Sequence, residues 1–216
     1  MSFSEQLISI LSNLENNFDQ NELAYLAATS KVEGPIRDKI AYCLHMEIDP
    51  SLLAHREWRG RKNRWTDIAI TDAQNRPLSL IEIKAHSGPT FEPGYTAKVR
   101  EDLQKLYHAG EPDTELYFIF LFNHLFHPGT INPKYVYAVK YFDLQNFASR
   151  QNDFAEDVSE QTTTHWERHL SELGLLSEKS HKCIQIRGGS YHGMPMTVHA
   201  FAYGPMFQSD LKEIFA

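Results

Sequence analysis

The stretch WTDIAITDAQNRPLSLIEIK, from Trp65 to Lys84, contains two short apolar runs separated by a polar loop. The runs Trp65–Ile70 and Leu78–Lys84 have the length and the β-branched content of strands. Asp72–Pro77 between them combines Asp, Asn and Pro, which is typical of a hairpin loop. We therefore predict an antiparallel strand pair in this stretch.

Further helices and strands are predicted upstream and downstream of this hairpin from the spacing of apolar residues. They are helices at Ser2–Ala28 (with a break near Asn16-Asn17), Pro35–His45 and Tyr95–Tyr107, and strands at Leu53–Trp58 and Leu116–Phe122. Leu116–Phe122 is apolar throughout, which is typical of a strand buried on both faces of a mixed or parallel sheet. The order from Pro35 to Phe122 is helix–strand–strand–strand–helix–strand.

The C-terminal part of the chain continues with the same mixture of helices and strands. We predict a strand at Tyr135–Val139, helices at Phe142–Arg150, Thr163–Leu173 and Phe207–Phe215, and a strand pair, Cys183–Arg187 and Met196–Tyr203, around a loop at Gly188–Gly193. We find no linker or repeat, so residues 1–216 are expected to form one domain. Its core would span about residues 30–140, with an N-terminal helical extension at 1–29 and a C-terminal elaboration at 141–216.

Composition narrows the class of protein. The chain has 216 residues, a net charge of −7 and two cysteines. It contains no apolar run of the roughly 20 residues that a membrane span requires, and no disulfide framework. The N-terminal residues lack the basic region of a signal peptide, so we expect a cytoplasmic location. The net acidity disfavours a nucleic-acid coat protein, which would be basic.

Charged residues interrupt the apolar pattern of the central strand pair. Glu82 and Lys84 are two residues apart on one strand and therefore share a face, and the hairpin register can place Asp67 beside Glu82. Buried charges cost several kcal/mol unless they are paired or bound to a metal. Two carboxylates supply the hard oxygen ligands that Mg²⁺ prefers, with Mn²⁺ as a substitute. The pattern therefore favours metal-assisted hydrolysis of a phosphodiester.

Asp67 followed by Glu82-Ile83-Lys84 resembles the signature of the PD-(D/E)XK, or restriction-endonuclease-like, nuclease superfamily. The resemblance covers about residues 30–123 and implies an αβββαβ core with a mixed central sheet, flanked here by extra N- and C-terminal helices. Thr66 stands where the name of the motif has proline. A second match to the short E-x-K pattern, Asp210-Leu-Lys212, lies in the predicted terminal helix and is discounted.

The resemblance also implies roles for individual residues. Asp67 and Glu82 would bind Mg²⁺ together with the carbonyl of Ile83, Lys84 would position the attacking water, and Glu33 would support the metal through a water. Asp38 is the alternative to Glu33. The helix after the E-x-K strand would present Lys98, Gln104 or Lys105 to the site. The implied activity is that of a DNA endonuclease, of a type II restriction or defence kind, and a homodimer would suit cleavage of both strands.

A cluster of basic residues leads into the Asp67 strand: Arg56, Arg59, Arg61, Lys62 and Arg64. In a nuclease these side chains would contact phosphates beside the active site. The alternative is a solvated, charged strand that prevents edge pairing. Trp58 and Trp65 are expected to pack in the core or at a sheet edge rather than to stack on bases.

Two other functional classes remain open at this point. The protein can be a non-catalytic nucleic-acid-binding or assembly protein that retains the nuclease fold. A zinc hydrolase is the weaker alternative, since His165 and His169 have i, i+4 spacing but lack the H-E-x-x-H order of metalloproteases. For this pair, a solvated helix face is the favoured interpretation.

Overall fold

A six-stranded mixed sheet with helices on both faces organises the chain in the computed structural model. The structure describes residues 2–29, 31–60, 64–87, 95–126, 138–139, 142–143, 157–175 and 177–215. The helices are α1 (Phe3–Ser12), α2 (Glu22–Thr29), α3 (Glu33–Glu47), α4 (Tyr95–Ala109), α5 (Ser159–Leu173) and α6 (Gln208–Phe215). Short 3-10 turns lie at Leu14–Asn17 and Ser177–Lys179. The strands are β1 (Leu53–Arg59), β2 (Trp65–Thr71), β3 (Pro77–Ser87), β4 (Glu115–Leu125), β5 (Ala138–Val139), β6 (Phe142–Asp143), β7 (Ile184–Tyr191) and β8 (Met194–Met206).

The strand order of the large sheet is β1-β2-β3-β4-β8-β7, and β5 and β6 form a separate pair. The β3–β4 pair is parallel, while every other pair of the large sheet is antiparallel. Parallel neighbours require a crossover, and α4 supplies it between β3 and β4. The predicted order from Pro35 to Phe122, α3-β1-β2-β3-α4-β4, is therefore confirmed, and so is a mixed α/β sheet. β8 lies beside β4, so the C-terminal region contributes two strands to the same sheet.

Two hydrophobic clusters cover the two faces of the sheet. One contains apolar residues of α1, α2 and α3 together with Ile81 and Ile83 of β3. The other contains apolar residues of α4 and α5 together with Leu80 of β3 and the row Phe118, Phe120 and Phe122 of β4. β4 contributes alternate residues to both clusters and is buried over ten of its residues, as its apolar sequence predicts.

Helix termini follow the local chemistry of the sequence. A capping box begins α1, since the backbone N–H of Glu5 donates to Ser2 and the Ser2 N–H donates to the Glu5 carboxylate. α3 begins at Glu33, two residues before the predicted start. Pro35 therefore lies in the first turn, where its missing N–H removes no helical hydrogen bond.

Two predictions for the C-terminal part are wrong. Phe142–Asp143 forms a short strand paired with Ala138–Val139 instead of starting a helix, and the neighbouring residues 135–137 and 144–150 lie outside the described part of the chain. Gly188–Tyr191 belongs to β7, so the turn is confined to His192-Gly193. The glycine pair forms a register shift in the β7–β8 ladder instead of ending the strand. At Gly189 a side chain would clash with Asn21, which accepts a hydrogen bond from Ser190 N–H at 2.8 Å.

Candidate active site

The antiparallel ladder between β2 and β3 ends at the Ile68–Ile81 pair. Beyond that pair, side-chain carboxylates accept the hydrogen bonds from the β3 backbone that strand β2 would otherwise accept. The backbone N–H of Ile83 donates to Asp67 Oδ2 at 2.8 Å. The N–H of Ala85 donates to Glu33 Oε2 at 3.0 Å. Asp67 and Glu33 thus satisfy two backbone donors that a continued ladder would have paired, so the fold itself holds both carboxylates against β3.

Glu82 and Lys84 extend from the face of β3 that is covered by α4. They follow Leu80 at two-residue intervals, and Leu80 belongs to the α4 cluster. Asp67 precedes Ala69 of the same cluster by two residues, so it shares this face. Continuing the ladder register by one pair sets Asp67 opposite Glu82. The predicted juxtaposition of the two carboxylates with Lys84 is therefore what the strand pairing produces.

Helix α4 supplies an ionic network to the same face. Lys84 Nζ lies 2.9 Å from Asp102 Oδ2, and Lys105 also contacts the Asp102 carboxylate. Lys105 Nζ lies 4.0 Å from Glu82 Oε1. Asp102 is only 3% exposed, so it anchors both ammonium groups from inside the protein. The network alternates acid and base from Glu82 through Lys105 and Asp102 to Lys84.

Arg37 of α3 bridges the other side of the cleft. Its Nη1 atom lies 3.0 Å from Glu57 Oε1 and 3.6 Å from Asp67 Oδ1. Its Nε atom donates to Asp38 at 3.2 Å. Arg37 lies one helical turn after Glu33, which places both side chains on the same face of α3. The helix therefore presents a carboxylate and a guanidinium to the β2–β3 opening.

Burial and carboxylate proximity perturb the pKa values in this cleft. Burial raises the pKa of Glu82 to about 9, and the nearby charges of Asp67 and Asp102 add to the increase. Burial also raises the pKa of Asp67, against the lowering effect of the Ile83 N–H bond. Burial lowers the pKa of Lys84, but the hydrogen bond and charge of Asp102 outweigh it, so the net shift is upward. Lys84 is therefore a cation at neutral pH.

An open cleft of about 410 Å³ gives access to Asp67 and Glu82, while Lys84 lies behind its lining. It is lined by Arg37, Glu57, Trp65, Thr66, Asp67, Glu82 and Lys105. A larger depression of about 680 Å³ lies between α5 and α6, where Lys179 and Asp210 pair with each other at 2.6 Å. We place the candidate site in the smaller cleft because carboxylates with raised pKa values converge there, which is the pattern found at functional sites.

The oxygen atoms that the cleft could offer to a cation come from two carboxylates and one carbonyl. Glu82 Oε2 is buried and has no hydrogen-bond partner among the described residues, although a buried carboxylate oxygen normally has one. The carbonyl of Ile83 lies on the same side of β3 as its N–H, toward Asp67, because both groups of a strand residue point the same way. No group of three or more His, Cys, Asp or Glu side chains in the described ranges could hold a metal. A cation here would depend on two carboxylates, a carbonyl and substrate phosphate, the arrangement that Mg²⁺ tolerates.

The basic cluster is only partly described, because Arg61 and Lys62 lie outside the described residues. Arg56 pairs with Asp38 at 2.6 Å, so its charge is partly used within the protein. Arg59 lies over the Trp65 ring, 5.8 Å from the ring centre, and Arg64 is exposed.

Among the α4 candidates, Lys105 lines the cleft. Gln104 is exposed and Lys98 lies 5.9 Å from the Tyr95 ring centre.

The histidine pair of α5 belongs to no cluster of three or more metal-ligating side chains among the described residues. His169 is 4% exposed, and its Nδ1 atom lies 2.8 Å from Thr96 Oγ1. His165 instead lies beside Arg168, 3.0 Å from its Nη2 atom. The two rings therefore have different environments, and neither belongs to a metal-binding group of the described residues.

Sequence reasoning did not identify Asp102, Arg37 and Glu57 as neighbours of the site, and it misjudged the exposure of Trp65. Asp102 follows Val99 by three residues and precedes Leu106 by four, so it is a charge on the apolar face of α4, and that position was the available signal. Arg37 had a signal in its i, i+4 spacing from Glu33. Trp65 was expected to pack, but it is 58% exposed, whereas Trp58 is 8% exposed as expected.

The chain matches no family model, no curated protein and no solved structure. Within the described ranges, no helix has both the length and the apolar character needed to cross a bilayer. The functional interpretation therefore rests on the geometry of the cleft.

Proposed function

We propose that this protein is a divalent-metal-dependent nuclease that hydrolyses phosphodiester bonds of DNA at the Asp67–Glu82–Lys84 cleft. The observation that carries the proposal is the placement of Asp67 and Glu82 on neighbouring strands where their ladder ends. Glu82 has a buried oxygen there with no partner among the described residues, and Lys84 lies two residues further along the same face. This arrangement supports the restriction-endonuclease-like interpretation of the α3-β1-β2-β3-α4-β4 order.

Each side chain has a distinct role in this mechanism. Asp67, Glu82 and the Ile83 carbonyl would hold Mg²⁺ or Mn²⁺, and Glu33 would support the ion through a water. The bound ion supplies Lewis-acid activation of a phosphate and of a water molecule. Lys84, as a cation, orients the attacking water and stabilises the negative charge that develops on the phosphate oxygens. Asp102 pairs with the Lys84 ammonium group and thereby preorganises it, and Lys105 binds the same Asp102 carboxylate.

The proposal includes two features of substrate and assembly. Arg56, Arg59 and Arg64, with Arg61 and Lys62 of the same cluster, contact phosphates flanking the cleaved bond. A homodimer would bring two such clefts to one DNA molecule.

The experiment is cleavage of plasmid and oligonucleotide DNA with Mg²⁺, with Mn²⁺ or with EDTA. We expect wild-type protein to cleave only with a divalent ion, and Lys84→Ala to reduce the rate by at least about 100-fold, the usual cost of removing a group that stabilises transition-state charge. The matched control is Lys212→Ala, because exposed Lys212 belongs to the second E-x-K-like match, Asp210-Leu-Lys212, on α6.

Equal cleavage by wild type and Lys84→Ala would refute the assignment of this cleft. A loss of cleavage in both lysine variants would also contradict it, because Lys212 lies on a different helix. DNA binding without any cleavage, indifferent to divalent ions, would favour a binding protein that retains the fold.

A further inference from the structure

Trp65 is the aromatic side chain at the rim of the candidate active site. It is 58% exposed, although tryptophan is highly buried on average. It also lines the cleft that contains Asp67 and Glu82. The Arg59 guanidinium lies over the Trp65 ring, 5.8 Å from its centre, which holds the ring in a cation–π contact. A large exposed ring, oriented by a cation and open to a catalytic cleft, is suited to stacking on a planar ligand.

The position of Trp65 along β2 relates it to the reacting phosphate. Trp65 precedes Asp67 by two residues, so both side chains lie on the same face, about 7 Å apart along the strand. A base attached to a nucleotide at the scissile phosphate would therefore lie within reach of the ring. In a duplex both faces of each base are covered by neighbouring bases, so stacking on a side chain requires an unpaired or extruded base.

Among the described residues, three cations beside the cleft are paired with carboxylates of the protein. Arg37 pairs with Glu57, and Arg56 pairs with Asp38. Lys105 is held by Asp102, and the chain as a whole carries a net charge of −7. Affinity that depends on phosphate contacts grows with the number of cations and falls steeply with salt. Stacking contributes about 1–3 kcal/mol of binding free energy per base and does not require additional cations. For an acidic protein, stacking is therefore a more effective source of affinity than phosphate contacts.

We infer that Trp65 is a stacking platform for an unpaired base beside the scissile phosphate, and that single-stranded DNA is the preferred substrate. This inference rests on the proposed nuclease function for the identity of the ligand. It adds a specificity-determining residue and a substrate class to that function. The ring selects against duplexes because a paired base cannot offer its face without first being unstacked.

The test measures binding in EDTA, so that cleavage plays no part in it. The probes are a labelled oligothymidylate of about 12 nucleotides and a duplex of the same length, within the site sizes known for single-strand binders. We expect wild type to prefer the single strand, and Trp65→Ala to weaken that binding about 10-fold while changing duplex binding less than about twofold. Trp65→Phe should retain most of the affinity, and Tyr42→Ala, which removes an aromatic ring that is 61% exposed on α3, should have no effect.

Salt dependence provides an independent readout. The slope of log affinity against log salt should be unchanged in Trp65→Ala, because stacking releases no counterions, and shallower by about one unit in Arg64→Ala if Arg64 contacts a phosphate. Quenching of tryptophan fluorescence by oligothymidylate should disappear in Trp65→Phe, since Trp58 and Trp166 are buried. Trp65→Phe keeps an aromatic ring at this position and therefore serves as a control for a folding defect in the alanine variant.

Equal weakening of single-strand and duplex binding by Trp65→Ala, or no weakening of either, would overturn the inference. If Lys84→Ala abolishes cleavage while Trp65→Ala leaves binding unchanged, the nuclease proposal is supported and the stacking role of Trp65 is refuted. If Trp65→Ala weakens only the binding of single-stranded DNA and no variant affects cleavage, the stacking role of Trp65 is supported and the active-site assignment is refuted.

Discussion

Replacing Glu82 with glutamine should stabilise the metal-free protein at neutral and alkaline pH. The Glu82 side chain is 11% exposed, and its Oε2 atom has no hydrogen-bond partner among the described residues. Burial, followed by the charges of Asp67 and Asp102, raises its pKa from 4.5 to about 9. The folded protein therefore keeps a proton on Glu82 that the unfolded chain releases, and this difference opposes folding.

The magnitude follows from the width of the pH window. Below about pH 4.5 Glu82 is protonated in both the folded and the unfolded state, so its ionisation does not change the free energy of unfolding. Between about pH 4.5 and pH 9 only the folded state binds the proton, so stability falls as pH rises through this window, by up to about 1.4 kcal/mol per pH unit. At about pH 7.5 the upper bound is about 4 kcal/mol. Because Lys105 is near and 42% exposed, we expect about 2–4 kcal/mol.

The assay is thermal and urea unfolding of wild type and Glu82→Gln in EDTA at several pH values. The variant should exceed wild type by about 5–10 °C in Tm near pH 7.5, and the difference should vanish toward pH 4.5. Glu160→Gln, at an exposed position of α5, is the matched control and should behave as wild type at every pH. Mg²⁺ should raise the Tm of wild type more than that of Glu82→Gln, since binding stabilises only a protein that retains its ligands.

A constant stability difference across the pH range would refute the reasoning, because a pH-independent effect would come from packing rather than from ionisation. A destabilised Glu82→Gln variant at about pH 7.5 would refute it as well, since it would mean that the ionised carboxylate is well paired in the folded state. Equal stabilisation of both proteins by Mg²⁺ would place the cation elsewhere.

Two further perturbations test the buried polar groups. Asp102→Asn should lower the free energy of unfolding, measured in urea, by about 2 kcal/mol, because Lys84 and Lys105 lose their shared buried counter-charge. An unchanged urea midpoint would show that the network does not stabilise the fold. His199 is 1% exposed, and burial, with the charge of His124, lowers its pKa from 6.5 to about 4. Between about pH 6.5 and pH 4 the unfolded chain therefore binds a proton at His199 that the folded protein does not bind. Acidification through this range should lower the free energy of unfolding by up to about 3 kcal/mol from His199. His199→Gln should flatten this part of the pH profile, measured by urea unfolding. An equally steep profile in the variant would assign the acid sensitivity to other groups.

The candidate site was partly predictable because strand periodicity is local. Two-residue alternation is enough to set Glu82 and Lys84 on one face, and a hairpin loop of fixed length is enough to set Asp67 near Glu82. Glu33 was named from its place before the strands, and its contact with Ala85 N–H gives that position a structural reason. These residues were found because their chemistry conflicts with the apolar pattern around them.

Other parts of the cleft depend on contacts between segments that are distant in sequence. Asp102 meets Lys84 across the β3–α4 packing, and nothing in the spacing of either segment specifies that pair. Glu57 reaches Arg37 only because β1 packs at the edge of the sheet beside α3. The Gly188–Tyr191 segment was predicted as a loop because local glycine content favours turns, whereas pairing with β8 and the approach of Asn21 make it a bulged strand.

The sequence by itself determined the order of elements from α3 to β4, the burial of β4 on both faces and the carboxylate–lysine row on the central hairpin. These features arise from periodicity and turn chemistry, which act over a few residues. Only the tertiary structure decided that Trp65 is exposed while Trp58 is buried, that Asp102 holds Lys84, and that one Glu82 oxygen has no partner among the described residues. Exposure, long-range ion pairs and pKa shifts depend on which elements pack together, because desolvation and Coulomb energy are set by neighbours in space rather than in sequence.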